Sequence, residues 1–202
     1  HFFNYIVPPR IKGKVITTVY DMTYKLYPET MDKRNLKRLN DGMQYSVDRA
    51  DKIITITESS KNDIVRFLNV EPSKIEIVPC GVDFNNFNRN FSENEKLCTR
   101  NKYNLPESYI LYMGTLEPRK NIDSIIEAFA LLKKQNKFNS IKLVIAGKKG
   151  WLFENIFNLV SKLKLEDNVV FTDYVAEIDK PIIYNMAKLF VFPSLYEGFG
   201  IP

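Results

Sequence analysis

Short apolar runs at Ile110–Met113, Ile141–Ala146, Asn168–Phe171 and Leu189–Phe192 punctuate the second half of the chain. Each is too short for a helix and carries the β-branched and aromatic residues that suit a pleated surface. Between them the apolar residues change period. Ile122, Ile125, Ile126, Phe129 and Leu132 recur at helical spacing, as do Leu152, Phe153, Ile156, Phe157, Val160 and Leu163. A shorter helical stretch spans Glu177 to Ala187, with Pro181 near its start. Strand, helix, strand repeated in this way predicts a parallel sheet with helices on both faces, because parallel neighbours can be joined only by a crossover.

The first half shows the same alternation. Lys14–Tyr20, Asp51–Thr57 and Lys74–Val78 are β-prone runs. Asp21–Thr30 holds a proline and reads as a loop. Leu36, Leu39, Met43 and Val47 predict a helix from about Met31 to Ala50. Ser60 followed by Asp63 suggests a second helix start, with Ile64, Phe67 and Leu68 facing inward. Residues 84–104 are crowded with Asn85, Asn86, Asn88, Asn90 and Asn94 and show no period, which reads as a linker. The expected fold is therefore α/β, with two Rossmann-like parallel-sheet domains: 1–100, including the linker, and 101–202. The chain opens at His1 and stops after Gly200-Ile201-Pro202, so both domains are expected to be incomplete.

Composition excludes some functions. Hydrophobic residues make up 45% of the 202 positions and charged residues 26%, enough to bury a core and keep a polar surface. The net charge of +5 is spread through the chain, which argues against a nucleic-acid partner. It leaves room for phosphate ligands, or for peripheral contact with an anionic membrane through the basic stretch 33–39. Cys80 and Cys98 lack ligand-like spacing, which fits a reducing compartment and gives no metal site. No run is apolar enough to span a membrane, and no signal peptide is visible. The expected location is cytoplasmic, at or away from the inner face of a membrane.

In a parallel sheet, ligands bind beyond the carboxyl ends of the strands. The loops there are Gly114–Asn121, Gly147–Trp151, Thr172–Ala176 and Ser194–Pro202. Arg119 and Lys120 stand together just before a helix, where unpaired amides favour an anion and two cations suit a diphosphate. Glu197 sits beside Gly198 and Gly200, so a hydroxyl-binding carboxylate adjoins backbone that can approach a ligand closely. Tyr174 could stack on a base. Tyr20 and Asp21 follow a strand of the first sheet. Taken singly, Glu197 is a surface acid, Tyr174 a rim aromatic, Asp21 a turn residue and Arg119-Lys120 a solvated pair. Taken together they match the parts of a nucleotide sugar.

Gly114-Thr-Leu-Glu-Pro-Arg-Lys-Asn121, followed by Pro193-Ser-Leu-Tyr-Glu-Gly-Phe-Gly-Ile-Pro202, resembles the retaining glycosyltransferases of the group 1 (GT4) family. Lys14–Asp21, Arg49–Asp63 and Ile75–Asp83 resemble that family's N-terminal signatures. The resemblance implies the GT-B architecture and a hexosyltransferase that needs no metal or other cofactor. Its donor would be a UDP- or GDP-sugar and its acceptor a glycan or lipid-linked glycan. Arg119, Lys120 and Glu197 would be the catalytic residues. Gly114, Thr115, Gly147, Tyr174, Val175, Gly198, Phe199, Gly200 and Ile201 would join them in binding the donor, with Tyr20 and Asp21 on the acceptor side. The sequence departs from the family pattern in places. Tyr20 replaces a common His, Thr115 stands where some members have Arg, and the second acid of the family's final motif would fall beyond Pro202. The alternative is a non-catalytic nucleotide-sugar-binding or assembly module on the same fold.

Overall fold

The structure is a computed structural model describing residues 1–87, 90–135 and 138–202. Asn88, counted in the expected linker, lies outside the described residues. The chain forms two compact units. One is His1–Gly81 with Tyr196–Ile201; the other is Val82–Leu195 with Pro202.

Among the described residues the first unit holds a parallel sheet of β1 (Ile16–Thr18), β2 (Lys52–Thr55) and β3 (Ile75–Ile77), in that spatial order. The strands are shorter than their apolar runs, though Val19 N still donates to Ile54 O and Val78 N to Thr55 O. The crossover helices are α2 (Lys33–Arg49) and α3 (Glu58–Leu68). α2 buries Leu39, Met43, Ser46 and Val47, one stripe at helical spacing, and its N-cap Asp32 accepts from Asn35 N. α3 begins two residues before Ser60, because Thr57 is the cap: its hydroxyl accepts from Ser60 N at 3.1 Å. Residues 21–30, expected as a loop, form the short helix α1 (Thr23–Leu26) and a further 3-10 turn at Pro28–Thr30. The Asp21 carboxylate accepts from Thr23 N, and Met22 and Tyr24 are drawn into the core, so tertiary burial outweighs a weak local pattern.

The second unit opens with α4 (Glu93–Lys102), inside the expected linker. Its signal is at its end rather than in its period. Ser92 and Glu95 form a reciprocal capping box, while Thr99 is the helix's buried residue. The sheet that follows contains β4 (Tyr109–Met113), β5 (Lys142–Ala146), β6 (Val169–Phe171) and β7 (Leu189–Phe190) among the described residues. The intervening helices are α5 (Ile122–Lys133), α6 (Glu154–Lys162) and α7 (Lys180–Met186), with Pro181 in the first turn of α7, where its missing N–H costs nothing.

β4 and β5 are covered on both faces, which explains their unbroken apolar runs. Tyr112, Leu143 and Ile145 pack with Ile126 and Phe129 of α5 and Ile156 and Val160 of α6. Tyr109, Leu111, Val144 and Ala146 pack on the other face with Ile183 of α7. The buried Tyr109 hydroxyl donates to Ile183 O at 2.7 Å, so it is not left unsatisfied.

The spatial order is β6-β5-β4-β7, with all pairs parallel. From β4 the chain steps outward through β5 and β6, then returns to the opposite side of β4 as β7. The strand order therefore reverses between β4 and β7. That is where a parallel α/β sheet opens a crevice for ligands.

Candidate functional site

The loop after β4 and the segment after β7 meet at this reversal point. Leu195 N donates to Arg119 O at 2.9 Å, and Asn121 Nδ2 donates to Pro193 O at 3.2 Å. Lys120 Nζ lies 4.8 Å from the centroid of the Phe192 ring, a cation–π distance. Pro118–Lys120 form one 3-10 turn, and Asn121, with φ 55°, caps α5 in a left-handed conformation that Asn tolerates. The Asn121 side chain also accepts from Ser124 Oγ at 2.8 Å. The basic pair is thus set in a stitched turn.

Glu117 adjoins the candidate site and is not among the residues expected there from the sequence. It is 5% exposed, and its Oε1 lies 2.9 Å from Arg119 Nη2. The signal was available: an acid two positions before an arginine, with a proline between them to bend the chain. Phe192, at the end of the apolar run Leu189–Phe192, lies two residues past β7 and meets Lys120.

Gly114 and Gly147 end β4 and β5 and come very close. A β-carbon on Gly147 would lie 1.9 Å from Gly114 O, and Gly147 has φ +143°. Gly114 N donates to Ala146 O, and Gly147 N donates to Asp173 O, both at 2.9 Å. Thr115 is half-buried, and its carbonyl accepts from the Tyr112 hydroxyl. Tyr174 exposes 61% of its surface, while Val175 is buried in the core. The structure thus brings Gly147 and the turn before Tyr174 together, and offers the Tyr174 ring to solvent.

The Glu197 segment belongs to the first unit. The Tyr196 hydroxyl donates to Asp63 Oδ2 at 2.5 Å, and Thr57 Oγ1 donates to Gly198 O at 2.8 Å. A β-carbon on Gly198 would lie 2.5 Å from Tyr20 O and 3.1 Å from Asp21 Cβ. Tyr20 and Asp21 therefore sit directly against the backbone next to Glu197. Burial, followed by the Asp63 carboxylate, pushes the Tyr196 phenol pKa well above its ordinary value, so it stays a donor at neutral pH. Glu197 is half-buried, Phe199 and Ile201 are exposed, and Gly200 has φ +85°.

Two parallel sheets flanked by helices, the second carrying a basic turn at its reversal point, define a Rossmann-like α/β class of protein. Comparison with known proteins is consistent with this and more specific. The family described as "Glycosyl transferases group 1" matches residues 94–202, and "Glycosyltransferase Family 4" matches residues 2–86. The chain belongs to the group 1 glycosyl transferases. It is 32% identical to the O-antigen chain mannosyltransferase B of Escherichia coli, over all of this chain and 52% of that protein. Its fold is similar to that of sucrose-phosphate synthase from Thermosynechococcus elongatus (TM-score 0.74, 21% identity, 95% of this chain and 47% of that one). It is also similar to the Anabaena protein HepE in complex with UDP and glucose (TM-score 0.72, 18% identity, 93% of this chain and 48% of that one). These likenesses are of fold, and the fold is of the GT-B type. The chain spans about half or less of the length of the curated relatives it matches.

Proposed function

We propose that the protein carrying this chain is a retaining hexosyltransferase. It moves a sugar from a nucleotide-diphosphate sugar, UDP- or GDP-linked, to a glycan or lipid-linked acceptor. The observation that carries this is the Arg119-Lys120 turn, stitched to residues 192–195 where the strand order reverses. When the bond from the anomeric carbon to the donor diphosphate breaks, negative charge grows on the departing oxygen. Fixed cations are worth more there than in the ground state, which is how they accelerate the step. Lys120 and Arg119 take that role, with Glu117 holding the Arg119 guanidinium in place.

Glu197 binds hydroxyls of the donor sugar, and Gly198, Phe199, Gly200 and Ile201 supply backbone to the sugar and its phosphate. Gly114, Thr115 and Gly147 leave room for the nucleotide, while the Tyr174 ring and the backbone of Val175 border the base. Tyr20 and Asp21 lie on the acceptor side. In this reading residues 1–100 form the acceptor-side domain and 101–202 the donor-side domain, with Tyr196–Ile201 of the donor side grouped in the first compact unit. The reaction is metal-independent and takes place in the cytoplasm, at or near the inner membrane face. No helix among the described residues is long and apolar enough to cross a membrane.

The test is transfer by the full-length protein from a panel of UDP- and GDP-linked hexoses. Mannosyl donors come first, given the activity named for the Escherichia coli relative. Turnover of one donor with retained anomeric configuration, read by NMR, is the expected result. Tight binding of a nucleotide sugar with no turnover on any acceptor would favour the non-catalytic module instead.

A further inference from the structure

Glu197 is held from both sides by one helix of the first unit. On its N-terminal side, the Tyr196 hydroxyl donates to Asp63 at 2.5 Å. On its C-terminal side, the Gly198 carbonyl accepts from Thr57 at 2.8 Å. Asp63 is in α3 and Thr57 is its N-cap.

The protons can be assigned by counting. Thr57 has one hydroxyl hydrogen, and its shorter acceptor is Gly198 O at 2.8 Å rather than Ser60 Oγ at 3.1 Å. Its oxygen is then free to accept from Ser60 N, as a cap should. Ser60, fully buried, also has one hydrogen, and its shorter acceptor is Tyr20 O at 3.0 Å rather than Gly198 O at 3.4 Å. Two hydroxyls one turn apart therefore anchor two loops: Thr57 the backbone after Glu197, and Ser60 the backbone before Asp21. The missing β-carbon of Gly198 lets those loops touch, since Tyr20 O lies 2.5 Å from where it would stand.

We infer that Thr57, Ser60 and Asp63 are positioning residues for Glu197, and that α3 sets where the sugar-binding carboxylate stands relative to Tyr20 and Asp21. This rests on the reading of Glu197 as the acid that grips the donor sugar. The three residues touch no reacting atom. They act by fixing the peptide on either side of Glu197, and a displacement of about 1 Å at such a group can cost up to a hundredfold in rate.

The experiment compares Tyr196→Phe, Thr57→Val, Thr57→Ser, Asp63→Asn and Glu197→Gln in the full-length protein. The readouts are kcat, donor KM, affinity for free UDP or GDP, and Tm. Tyr196→Phe and Thr57→Val are expected to lower kcat about tenfold or more, with nucleotide affinity unchanged. Thr57→Ser keeps both the cap and the donor, and Asp63→Asn keeps an acceptor for the phenol; both should retain most of the rate. Tyr196→Phe added to Glu197→Gln should lose little beyond Glu197→Gln alone, since both act through one group. A purely structural role would lower Tm and leave kcat per folded enzyme intact. That result, with Glu197→Gln still strongly impaired, would overturn the positioning role and spare the functional reading. Wild-type kcat and donor KM in Glu197→Gln would overturn the role of Glu197 as the sugar-gripping acid, and the positioning role with it.

Discussion

The guanidinium of Arg119 lies 2.9 Å from the carboxylate of Glu117, and only 17% and 6% of the two side chains is exposed. Removing one partner of a buried ion pair takes away a charge the other is held against, which costs more than loss of a surface bridge. Glu117→Ala is therefore expected to destabilise the second unit by about 2–4 kcal/mol. Glu117→Gln, which keeps a hydrogen-bond acceptor, should cost less. Urea unfolding of the two variants checks the order.

Gly147 should tolerate no side chain. Its φ of +143° and the 1.9 Å approach to Gly114 O mean that alanine must push two strand ends apart. Gly147→Ala is expected to cost at least about 3 kcal/mol. Gly81→Ala, where a β-carbon meets nothing within 4 Å, is the matched control and should be near neutral. Parallel thermal melts would distinguish the two.

Asp179 should confer acid sensitivity on the second unit. Burial of its carboxylate opposes ionisation. Hydrogen bonds from Lys102 and Tyr103, both at 2.7 Å, and the Lys102 charge outweigh that and hold its pKa below the ordinary value. A carboxylate whose pKa falls on folding adds stability above its unfolded pKa, and that stability is lost as pH drops through the folded value. Wild-type stability should thus decline as pH falls from the ordinary carboxylate range downward. Asp179→Asn should be less stable near neutrality and show a flatter acid limb in denaturant titrations between pH 6 and about 3.

The capping box at the start of α4 should be measurable. Ser92→Ala removes the oxygen that accepts from Glu95 N at 3.3 Å and is expected to cost about 1 kcal/mol. Amide exchange confined to α4 would report it, since the helix buries little apolar surface that could hold it.

α4 also shows where sequence reading reached its limit. Periodicity identified β4, β5, α5 and α6 because packing on two faces imposes a pattern on their apolar residues. A helix held by its cap leaves no such pattern. Nor does a short helix such as α1, which is stabilised by the burial of Met22 and Tyr24. In the candidate site, Arg119 and Lys120 stand out in the sequence because two adjacent cations before a helix are a local signal. Glu117 leaves only a weak local signal, an acid two positions before Arg119, since its burial depends on where the loop folds. Thr57 and Asp63 are more than 130 residues from the segment they hold, a pairing that no local pattern encodes.

Lys120 is the residue on which the functional reading turns. Its most direct test is steady-state sugar transfer by the full-length protein and by Lys120→Ala, with the donor found in the panel. Loss of a cation that stabilises charge on the leaving diphosphate should lower kcat by roughly 10²–10³-fold and weaken binding of the free nucleoside diphosphate. An unchanged kcat, with the variant folded, would contradict the assignment of the basic turn to the donor phosphates.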